Sequence, residues 1–553
     1  MKSPRYALAV WFLAFSPFFC PLVAPAQQPA PEIASIRKED LRADLFFLAG
    51  DQMGGRLTGT LENRIAAEFI KGRFERLGLV PAGPGRSYYQ PFNLMTATLG
   101  ENNRLGVILP DRVQLRLGLG QDFYPHRFSA SAAVSGPVVF AGFGIAAPHL
   151  GHDDYRGNQI RGSVVLVLDH EPGENDPDSP FDGLVSSQAS SPLEKTLAAQ
   201  ERGAVAIIFV ADVHNHPGEE NFSAAARNYW PPEALRIERY TLASWADRVR
   251  IPAIQISRAL AETLVSGTGK TLLELAAGAE TPGGFRALPL PGVRVELETE
   301  VLRNVVTERN VVGLLEGSDP RLKDEWVIVC AHFDHNGSDG NQIYNGADDD
   351  GSGTVGLLEI AEAYSLAAAR GQRPRRSVLF AAWNAEERGL LGAWAYVENP
   401  LHPLDRTVAV LNMDMIGRNE EVPEGGGGRF RGLEIQTAES NRNAVNVLGY
   451  SRSPDLWELV REANRGVGLE LRARYDNNPS NLLRRSDHWP FLQKGVPAIF
   501  FHTGLHPDYH TVYDRPEKIN YEKLEKIVRL VYQTSWELAQ REGRPRMAAG
   551  GVR

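Results

Sequence analysis

Cysteine is nearly absent from this chain of 553 residues, which contains only Cys20 and Cys330. A fold held together by several disulfide bonds is therefore excluded. Blocks of lysine or arginine are also lacking and the net charge is −9, which argues against nucleic acid as a partner. Hydrophobic residues make up 43% and charged residues 23% of the chain, a globular composition that argues against a largely disordered protein or a coiled coil.

The N-terminus is typical of an export signal. Lys2 and Arg5 precede a short apolar run at 7–15, and Ala-Pro-Ala at 24–26 fits the small-x-small cleavage pattern. The run is too short to span a membrane. We therefore predict a signal peptide over residues 1–26, export to the periplasm or the medium, and no membrane contact after cleavage.

Apolar runs and turn residues divide the rest of the chain into a larger and a smaller α/β unit. Glycines and prolines at 281–292 are typical of a linker that leaves the smaller unit. We predict four segments after the signal peptide: the N-terminal part of the larger domain at 33–110, a smaller inserted domain at 111–290, the main part of the larger domain at 291–540, and a flexible tail at 541–553.

Four apolar runs in the larger domain do not alternate with polar residues. This pattern is typical of parallel strands that are buried on both faces. We expect an α/β fold with a mostly parallel mixed sheet sandwiched by helices, and a smaller α/β domain inserted into it. The four runs are Trp326–Cys330, Val378–Trp383, Val408–Met413 and Ala498–Phe501.

Histidines and acidic residues follow each of these four runs. Because ligands of open α/β sheets bind at the carboxyl ends of strands, we expect these side chains to meet at one edge. The segments are Ala331-His332-Phe333-Asp334-His335 with Asp348-Asp349-Asp350, then Asn384-Ala385-Glu386-Glu387, then Met413-Asp414-Met415, and last His506-Pro507-Asp508-Tyr509-His510.

So many acidic groups at one edge predict a metal site. Adjacent carboxylates repel one another unless a cation neutralises them. Imidazole and carboxylate ligands without thiolate suit Zn²⁺ in a hydrolytic site, with Mn²⁺ or Co²⁺ as alternatives. Two histidines and three acids exceed the needs of one tetrahedral ion, so two ions bridged by one carboxylate fit the set better.

Each of these residues has a simpler interpretation when it is taken alone. Asp348-Asp349-Asp350 fits a solvated turn or a helix N-cap, Glu386-Glu387 fits a surface pair, and His335 fits a structural role. Their joint placement at successive strand ends favours the metal site. His214 and His216, in the smaller domain, lack acidic partners of similar placement and are interpreted as surface residues.

The order and spacing of these motifs resemble the co-catalytic di-zinc exopeptidases. This family includes secreted bacterial leucyl aminopeptidases, glutamate carboxypeptidases, the transferrin receptor ectodomain and glutaminyl cyclases. The resemblance covers residues 303–525 together with 38–80, and the middle region resembles a protease-associated domain. The matching motifs are Ala331-His332-x-Asp334-His335, Gly346-Ala347-x-Asp349-Asp350-Gly351-Ser352-Gly353, Asn384-Ala385-Glu386-Glu387-x-Gly389-Leu390-x-Gly392, Asn412-x-Asp414-Met415-Ile416-Gly417 and Asp508-Tyr509-His510-Thr511.

The resemblance implies two zinc ions and a ligand set for each. It implies that Asp349 bridges the two ions. It further implies that His332 and Asp414 complete the ligands of one ion, and that Glu387 and His510 complete those of the other. The complete set disfavours the non-enzymatic transferrin receptor type.

The resemblance also implies catalytic roles. Glu386 would be the general base, and Asp334 would orient the His332 imidazole. Tyr509 would donate a hydrogen bond to the developing oxyanion, as a tyrosine does at this position in some relatives.

These assignments predict an extracytoplasmic aminopeptidase that acts on peptides with a free N-terminus. The abundance of acidic groups favours recognition of a free amine. A carboxypeptidase or dipeptidase is an alternative, because Arg484 and Arg485 would suit a substrate carboxylate. A non-catalytic binding protein on the same fold is a third.

Overall fold

The computed structural model describes residues 28–157, 160–218 and 220–548. The predicted signal peptide at 1–26 lies outside the described residues, as does the end of the predicted tail at 549–553. Among the helices of the described ranges, none combines the length and the apolar composition that crossing a bilayer requires.

The described residues form both strands and α-helices. The strands are β1 Val80–Pro81, β2 Tyr89–Leu99, β3 Arg104–Ile108, β4 Gln114–Leu117, β5 Phe123–Pro125, β6 Ala132–Phe140, β7 Ala146–Ala147, β8 His152–Asp153, β9 Val164–Leu168, β10 Ala206–Val210, β11 Thr241–Leu242, β12 Ala253–Ile256, β13 Leu288–Thr299, β14 Val301–Leu315, β15 Trp326–His332, β16 Ser338–Asp339, β17 Gln342–Ile343, β18 Ser377–Trp383, β19 Thr407–Met413, β20 Ala444–Leu448, β21 Glu470–Arg472 and β22 Ala498–His502. The α-helices are α1 Lys38–Leu48, α2 Leu61–Arg76, α3 Pro192–Glu201, α4 Phe222–Tyr229, α5 Ala243–Arg248, α6 Arg258–Val265, α7 Leu272–Ala279, α8 Gly353–Ala369, α9 Leu391–Glu398, α10 Pro454–Ala463, α11 His488–Gln493 and α12 Tyr521–Gln540.

The larger sheet is mixed, as predicted, and has the strand order β11-β2-β14-β18-β15-β19-β22-β20-β21, with β1 also paired to β14. The four predicted apolar runs form β18, β15, β19 and β22, which are neighbours and pair in parallel. The strands β11, β2 and β14 on one side, and β20 on the other, pair antiparallel. The parallel part of the sheet is therefore its centre, and the four central strands end at the same edge.

Helices cover both faces of the larger sheet, as expected for this α/β fold. On one face, α1, α2, α8 and α12 pack together over the sheet, and their apolar stripes include the fully buried Ile70 and Leu358. On the other face, Trp383 of the sheet contacts Tyr396 of α9 and Phe491 of α11, with ring centroids 5.1 and 6.0 Å apart. Removing these large apolar side chains from water contributes much of the stabilising free energy of such a core.

A second sheet, with the order β4-β3-β13-β6-β9-β10-β12-β5, forms the core of the smaller unit. The interpretation of 281–292 as a linker is wrong in its second half, because β13 begins at Leu288 and pairs with β6 and β3. The pairing is interrupted between Pro289 and Arg294, where the strand is irregular. A bulge of this kind accommodates prolines that cannot donate to a β ladder.

The structure bears on two segments of the predicted division, the inserted domain at 111–290 and the tail at 541–553. The second sheet includes β3 and β13, which extend beyond the range 111–290 on both sides. In the predicted tail, Ser453 donates to the carbonyl of Arg546 at 2.9 Å, and the backbone N–H of Ala548 donates to the carbonyl of Arg452 at 2.8 Å. These contacts hold residues 546–548 against the larger domain.

Candidate metal centre

The parallel centre of the larger sheet brings the predicted site residues together at one edge. His332 is the last residue of β15, Glu386 follows β18, Asp414 follows β19, and His510 lies in the loop after β22. The chain order of these strands differs from their order in space, so only the folded sheet makes the residues neighbours. The acidic segment that contains Asp349 precedes α8 and completes the edge.

The two carboxylate oxygens of Asp349 face two different histidines. Oδ1 lies 3.3 Å from Nε2 of His332, and Oδ2 lies 2.9 Å from Nε2 of His510. On the His332 side, Oδ1 of Asp414 lies 3.6 Å from the same Nε2 atom. On the His510 side, Oε2 of Glu387 lies 3.1 Å from the imidazole. Asp349 therefore stands between two donor sets that contain the five predicted ligands.

Several of these donor atoms are buried without a hydrogen-bond partner among the described residues. They include Nε2 of His332, Oδ2 of Asp349 and Oδ1 of Asp414. Leaving a buried polar atom unpaired costs about 1–3 kcal/mol, so converging orphan atoms of this chemistry indicate a cation site. Imidazole nitrogen and carboxylate oxygen are the donors that zinc-class ions accept, and the residues therefore fit such a metal.

Asp350 is close to the same donors but is occupied by the backbone. It belongs to one group of potential ligands with His332 and Asp414, whose donor atoms lie within 4.8 Å of one another. Its carboxylate accepts hydrogen bonds from the N–H groups of His332, Gly353 and Met415 at 3.1, 2.8 and 3.2 Å. These bonds indicate that Asp350 fixes the strand ends rather than a metal ion.

His335 was interpreted as structural, and the structure brings it directly to the site. It is fully buried, and its Nδ1 lies 2.7 Å from Oε1 of Glu387. His335, Asp349 and Glu387 form a second group of potential ligands with donor atoms within 4.8 Å of one another. The signal in the sequence was its position directly after the His-x-Asp motif.

Asp334 organises the site through the backbone. Its carboxylate accepts the N–H groups of Glu386 and Glu387 at 3.0 and 3.3 Å. The Nδ1 atom of His332 lies 3.1 Å from the main-chain oxygen of Asp334 and 3.7 Å from its carboxylate. The carbonyl therefore selects the ring orientation of His332, while the carboxylate fixes the two glutamates.

Glu386 and Glu387 are neighbours in the chain, but their surroundings shift their pKa values in opposite directions. Burial raises the pKa of Glu386 well above its usual value, and the charge of Asp414 adds to this rise. Burial alone would raise the pKa of Glu387 too, but the charges of His510 and His335 outweigh it and keep that pKa well below its usual value. Adjacent acids with opposite shifts are typical of sites that divide acid–base and ligand roles.

Tyr509 and the two predicted arginines lie near the centre in different ways. The ring of half-buried Tyr509 stacks on His510 with centroids 3.9 Å apart. Burial and the neighbouring carboxylates raise the pKa of its hydroxyl well above the usual value, so it stays protonated. Arg484 donates to the carbonyl of Ser186 at 2.6 Å, whereas Arg485 is exposed.

Arg56, which the sequence analysis missed, holds the loops around the site. It is 1% exposed and donates to the carbonyls of Phe333, Leu48, Asn345 and Gly346 at 2.7–2.9 Å. These four carbonyls belong to three segments of the chain, at residues 48, 333 and 345–346. Nothing in the local pattern around Arg56 predicts such a role, because it depends on distant loops.

Replacing Arg56 with methionine should lower the free energy of unfolding by more than about 4 kcal/mol. Methionine fills similar volume but removes one donor from each of the four buried carbonyls. The Gly346 carbonyl keeps the backbone N–H of Gly351 at 3.1 Å, and the other three lose their Arg56 donor at about 1–3 kcal/mol each. Urea denaturation followed by tryptophan fluorescence measures the change.

The matched control is Arg64→Met, since Arg64 is exposed and its side chain donates one hydrogen bond, to the carbonyl of Gly59 at 3.2 Å. It should change the free energy of unfolding by about 0.5 kcal/mol or less. A change below about 1 kcal/mol for Arg56→Met would contradict the structural role, since one lost buried hydrogen bond alone costs about that much.

The sequence of this chain is similar to those of known peptidases. Residues 310–535 match the model of a family described as Peptidase family M28. The chain is 27% identical over 433 residues to a probable glutamate carboxypeptidase, LAMP1, of Arabidopsis thaliana, which covers 70% of this chain and 54% of that protein. It is 28% identical over 247 residues to the aminopeptidase YwaD of Bacillus subtilis, covering 43% of this chain and 47% of that protein.

The chain therefore spans about half the length of these two curated relatives. Among solved structures, the aminopeptidase from Aneurinibacillus sp. strain AM-1 is similar at 19% identity and a TM-score of 0.48, covering 94% of this chain and 97% of that chain. The family match includes the strands β15, β18, β19 and β22 and every predicted site residue. Residues 310–535 of this chain, which form most of the larger domain, therefore match peptidase family M28.

Proposed function

We propose that the protein is an exported, zinc-dependent aminopeptidase that removes residues from the free N-terminus of peptides. The observation that supports this most directly is the position of Asp349 between two histidines, with one carboxylate oxygen facing each. A carboxylate in this position suits a bridge between two ions, which is the arrangement of many hydrolytic two-metal sites.

His332 and Asp414 would hold one zinc ion, and Glu387 and His510 would hold the other, with Asp349 shared. When bound, the two ions supply a Lewis acid that activates the attacking water and polarises the substrate carbonyl. Asn336 donates to Oε1 of Glu387 at 2.9 Å, and His335 contacts the same oxygen. These contacts orient Glu387 so that its other oxygen faces His510.

Glu386 would act as the general base. Its Oε2 lies 3.7 Å from Nε2 of His332, whereas Glu387 contacts His335 and His510, so Glu386 can face the attacking water without serving as a ligand. It would remove a proton from this water and return the proton to the leaving amine. Asp334 would position it by accepting its backbone N–H, and Tyr509 would donate a hydrogen bond to the developing oxyanion.

The acidic character of the edge supports an aminopeptidase, because carboxylates and metal ions suit a free α-amine. One observation favours a second candidate, a carboxypeptidase or dipeptidase. Arg485 is exposed, and its positive charge acts on Tyr509 beside the site. The two candidates share the same chemistry at the metal centre and differ in the end of the peptide that they recognise.

The smaller unit, whose sheet extends from β3 to β13, would be a protease-associated domain. It reaches the site through Arg236, which donates to the carbonyl of Asn336 at 2.7 Å, while Asn336 binds Glu387. This chain of contacts would allow the insertion to shape the substrate pocket. The signal-like segment at 1–26 supports export to the periplasm or the medium.

Hydrolysis of aminoacyl chromogenic substrates, each paired with its N-acetylated form, tests the substrate polarity. We expect cleavage of the free-amine forms only, and loss of this activity after treatment with a chelator. Acetylation should lower kcat/KM by about 10³-fold or more, because it removes the charge that the acidic edge recognises. Zinc added back after chelation should restore the rate.

Cleavage of peptides that depends on a free C-terminus, with no effect of acetylation, would instead support the carboxypeptidase. Arg485→Ala should then raise KM, whereas it should leave an aminopeptidase unchanged. Failure to cleave any peptide, in a protein that binds no metal, would contradict both candidates and favour a binding protein.

A further inference from the structure

The second sheet has its own cluster of metal-ligating side chains, at the carboxyl ends of two parallel strands. His170 and Glu174 lie in the loop after β9, and His216 lies in the loop after β10. Since β9 and β10 pair in parallel, both loops leave the same edge of the sheet. We call these three residues the His170 cluster. The interpretation of His216 as lacking an acidic partner is wrong, because Glu174 comes from a different loop.

The three side chains converge on one point. Oε2 of Glu174 lies 3.3 Å from Nδ1 of His170, and Oε1 lies 2.6 Å from Nε2 of His216. The two imidazole rings lie face to face with centroids 4.0 Å apart. One donor atom from each residue lies within 4.8 Å of the others. Ligands of a tetrahedral zinc ion lie about 3.3 Å apart when each bond is about 2.0–2.1 Å, so small side-chain shifts bring all three into range.

A hydrogen-bonded pair does not fully account for the contact between His216 and Glu174. The Nε2 atom of His216 is buried, and although it lies 2.6 Å from the carboxylate it does not meet it with hydrogen-bond geometry. The nitrogen therefore directs its in-plane lone pair or proton away from that oxygen. An orphan ring nitrogen beside a carboxylate and a second imidazole has the donor chemistry of a zinc-class site.

The surrounding residues fix both loops before any ligand binds. Glu280 accepts the backbone N–H of Gly173 at 2.7 Å and the side-chain amide of Asn215 at 2.6 Å, so it joins the two loops. The backbone N–H of His216 donates to the carbonyl of Asp212 at 3.1 Å. A metal site gains affinity when such outer contacts hold its ligands in place.

We propose that the His170 cluster binds one divalent transition-metal ion of the zinc class, in addition to the ions of the centre on the larger sheet. His170, Glu174 and His216 supply three ligands. The side chains of His170 and His216 are 47% and 41% exposed, so water has access to complete the coordination. This ion is held entirely by the smaller unit.

The ion would also fix a segment that contacts the larger domain. Residues 176–187, which follow Glu174 in the chain, contact residues 477–481 in the segment that precedes α11. Asn477 accepts the backbone N–H of Leu184 at 2.7 Å and donates to the carbonyl of Pro177 at 2.9 Å, and Asn481 accepts the N–H of Ser186 at 2.9 Å. A metal ion at the start of this segment would therefore stabilise the contact between the two units.

The test is the zinc content of the full chain after equilibrium dialysis against buffered micromolar Zn²⁺, measured by inductively coupled plasma mass spectrometry. His170→Ala and His216→Ala should each contain one zinc ion fewer per chain than the wild type. His214→Ala is the matched control, since His214 is an exposed imidazole in the same loop that does not belong to the cluster. It should retain the wild-type content.

Glu174→Gln distinguishes the loss of a ligand from the loss of the fold, because glutamine keeps the shape of the side chain and removes only its charge. It should weaken the binding of one ion by about 10-fold or more, with an unchanged circular dichroism spectrum. His332→Ala should lower zinc content at the other centre and leave the ion of the His170 cluster in place, so failure of the proposed peptidase site is distinguishable. Equal zinc content in the wild type, His170→Ala and His216→Ala would overturn the proposal and leave the cluster as an ion pair.

Discussion

Replacing Glu386 with glutamine should lower kcat by about 10²–10⁴-fold while the zinc content stays at the wild-type level. Glutamine has the same shape as glutamate but takes up no proton. The Glu386 backbone N–H donates to Asp334, and this bond does not depend on the side chain, so the loop should keep its position. The loss should appear in kcat, since a proton transfer in the transition state is removed and substrate binding is not.

Glu387→Gln is the contrasting variant, because the two residues are neighbours in the chain with different surroundings. Glu387 contacts His335 at 2.7 Å and His510 at 3.1 Å, so its replacement should lower zinc content as well as activity. Steady-state kinetics and metal analysis of both variants separate the two roles. A Glu386→Gln enzyme with kcat within about threefold of wild type would exclude Glu386 as the base, since general-base catalysis is worth far more.

The sequence was sufficient for the parts of the fold that have strong local patterns. The apolar runs that became β15, β18, β19 and β22 have no polar alternation, and the acids that follow them meet where parallel strands must end. Their order in the sheet was not accessible, because it depends on which buried faces pack against which helices.

Residues that act over long distances in the chain were missed. Arg56 binds loops near residue 345, and Asp514 accepts the backbone N–H groups of Asp348 and Asp349 at 3.0 and 3.1 Å. Neither residue belongs to a local pattern. Glu174 was missed for the same reason, since its partner His216 comes from a loop after another strand.

The linker predicted at 281–292 was wrong in its second half because it rested on the prolines and glycines of this segment. These residues are typical of a linker, and they also occur where a strand bulges at the edge of a ladder. The second half of the segment belongs to β13, whose later residues alternate between buried and exposed, from Val293 to Thr299. The alternation is the signal that would have distinguished the strand from a linker.

Replacing Asp349 with alanine should reduce zinc at the larger sheet's centre by more than one ion per chain and lower activity to background. Oδ1 faces His332 and Oδ2 faces His510, so this single substitution removes a donor from both halves of the site. Contacts behind the ligands are alone worth about 10–100-fold in metal affinity, so loss of a shared ligand should cost more than about 100-fold for each ion.

The control is Asp339→Ala, which removes an exposed aspartate from the short strand β16 and should leave zinc content and kcat unchanged. His332→Ala separates the two halves, since His332 faces Asp349 and Asp414 but not Glu387 or His510 in the arrangement described here. It should weaken the binding of one ion, whereas Asp349→Ala weakens both. Equal losses in the two variants would mean that Asp349 serves one ion only, and the centre would then work with a single metal or with a bridge from another carboxylate.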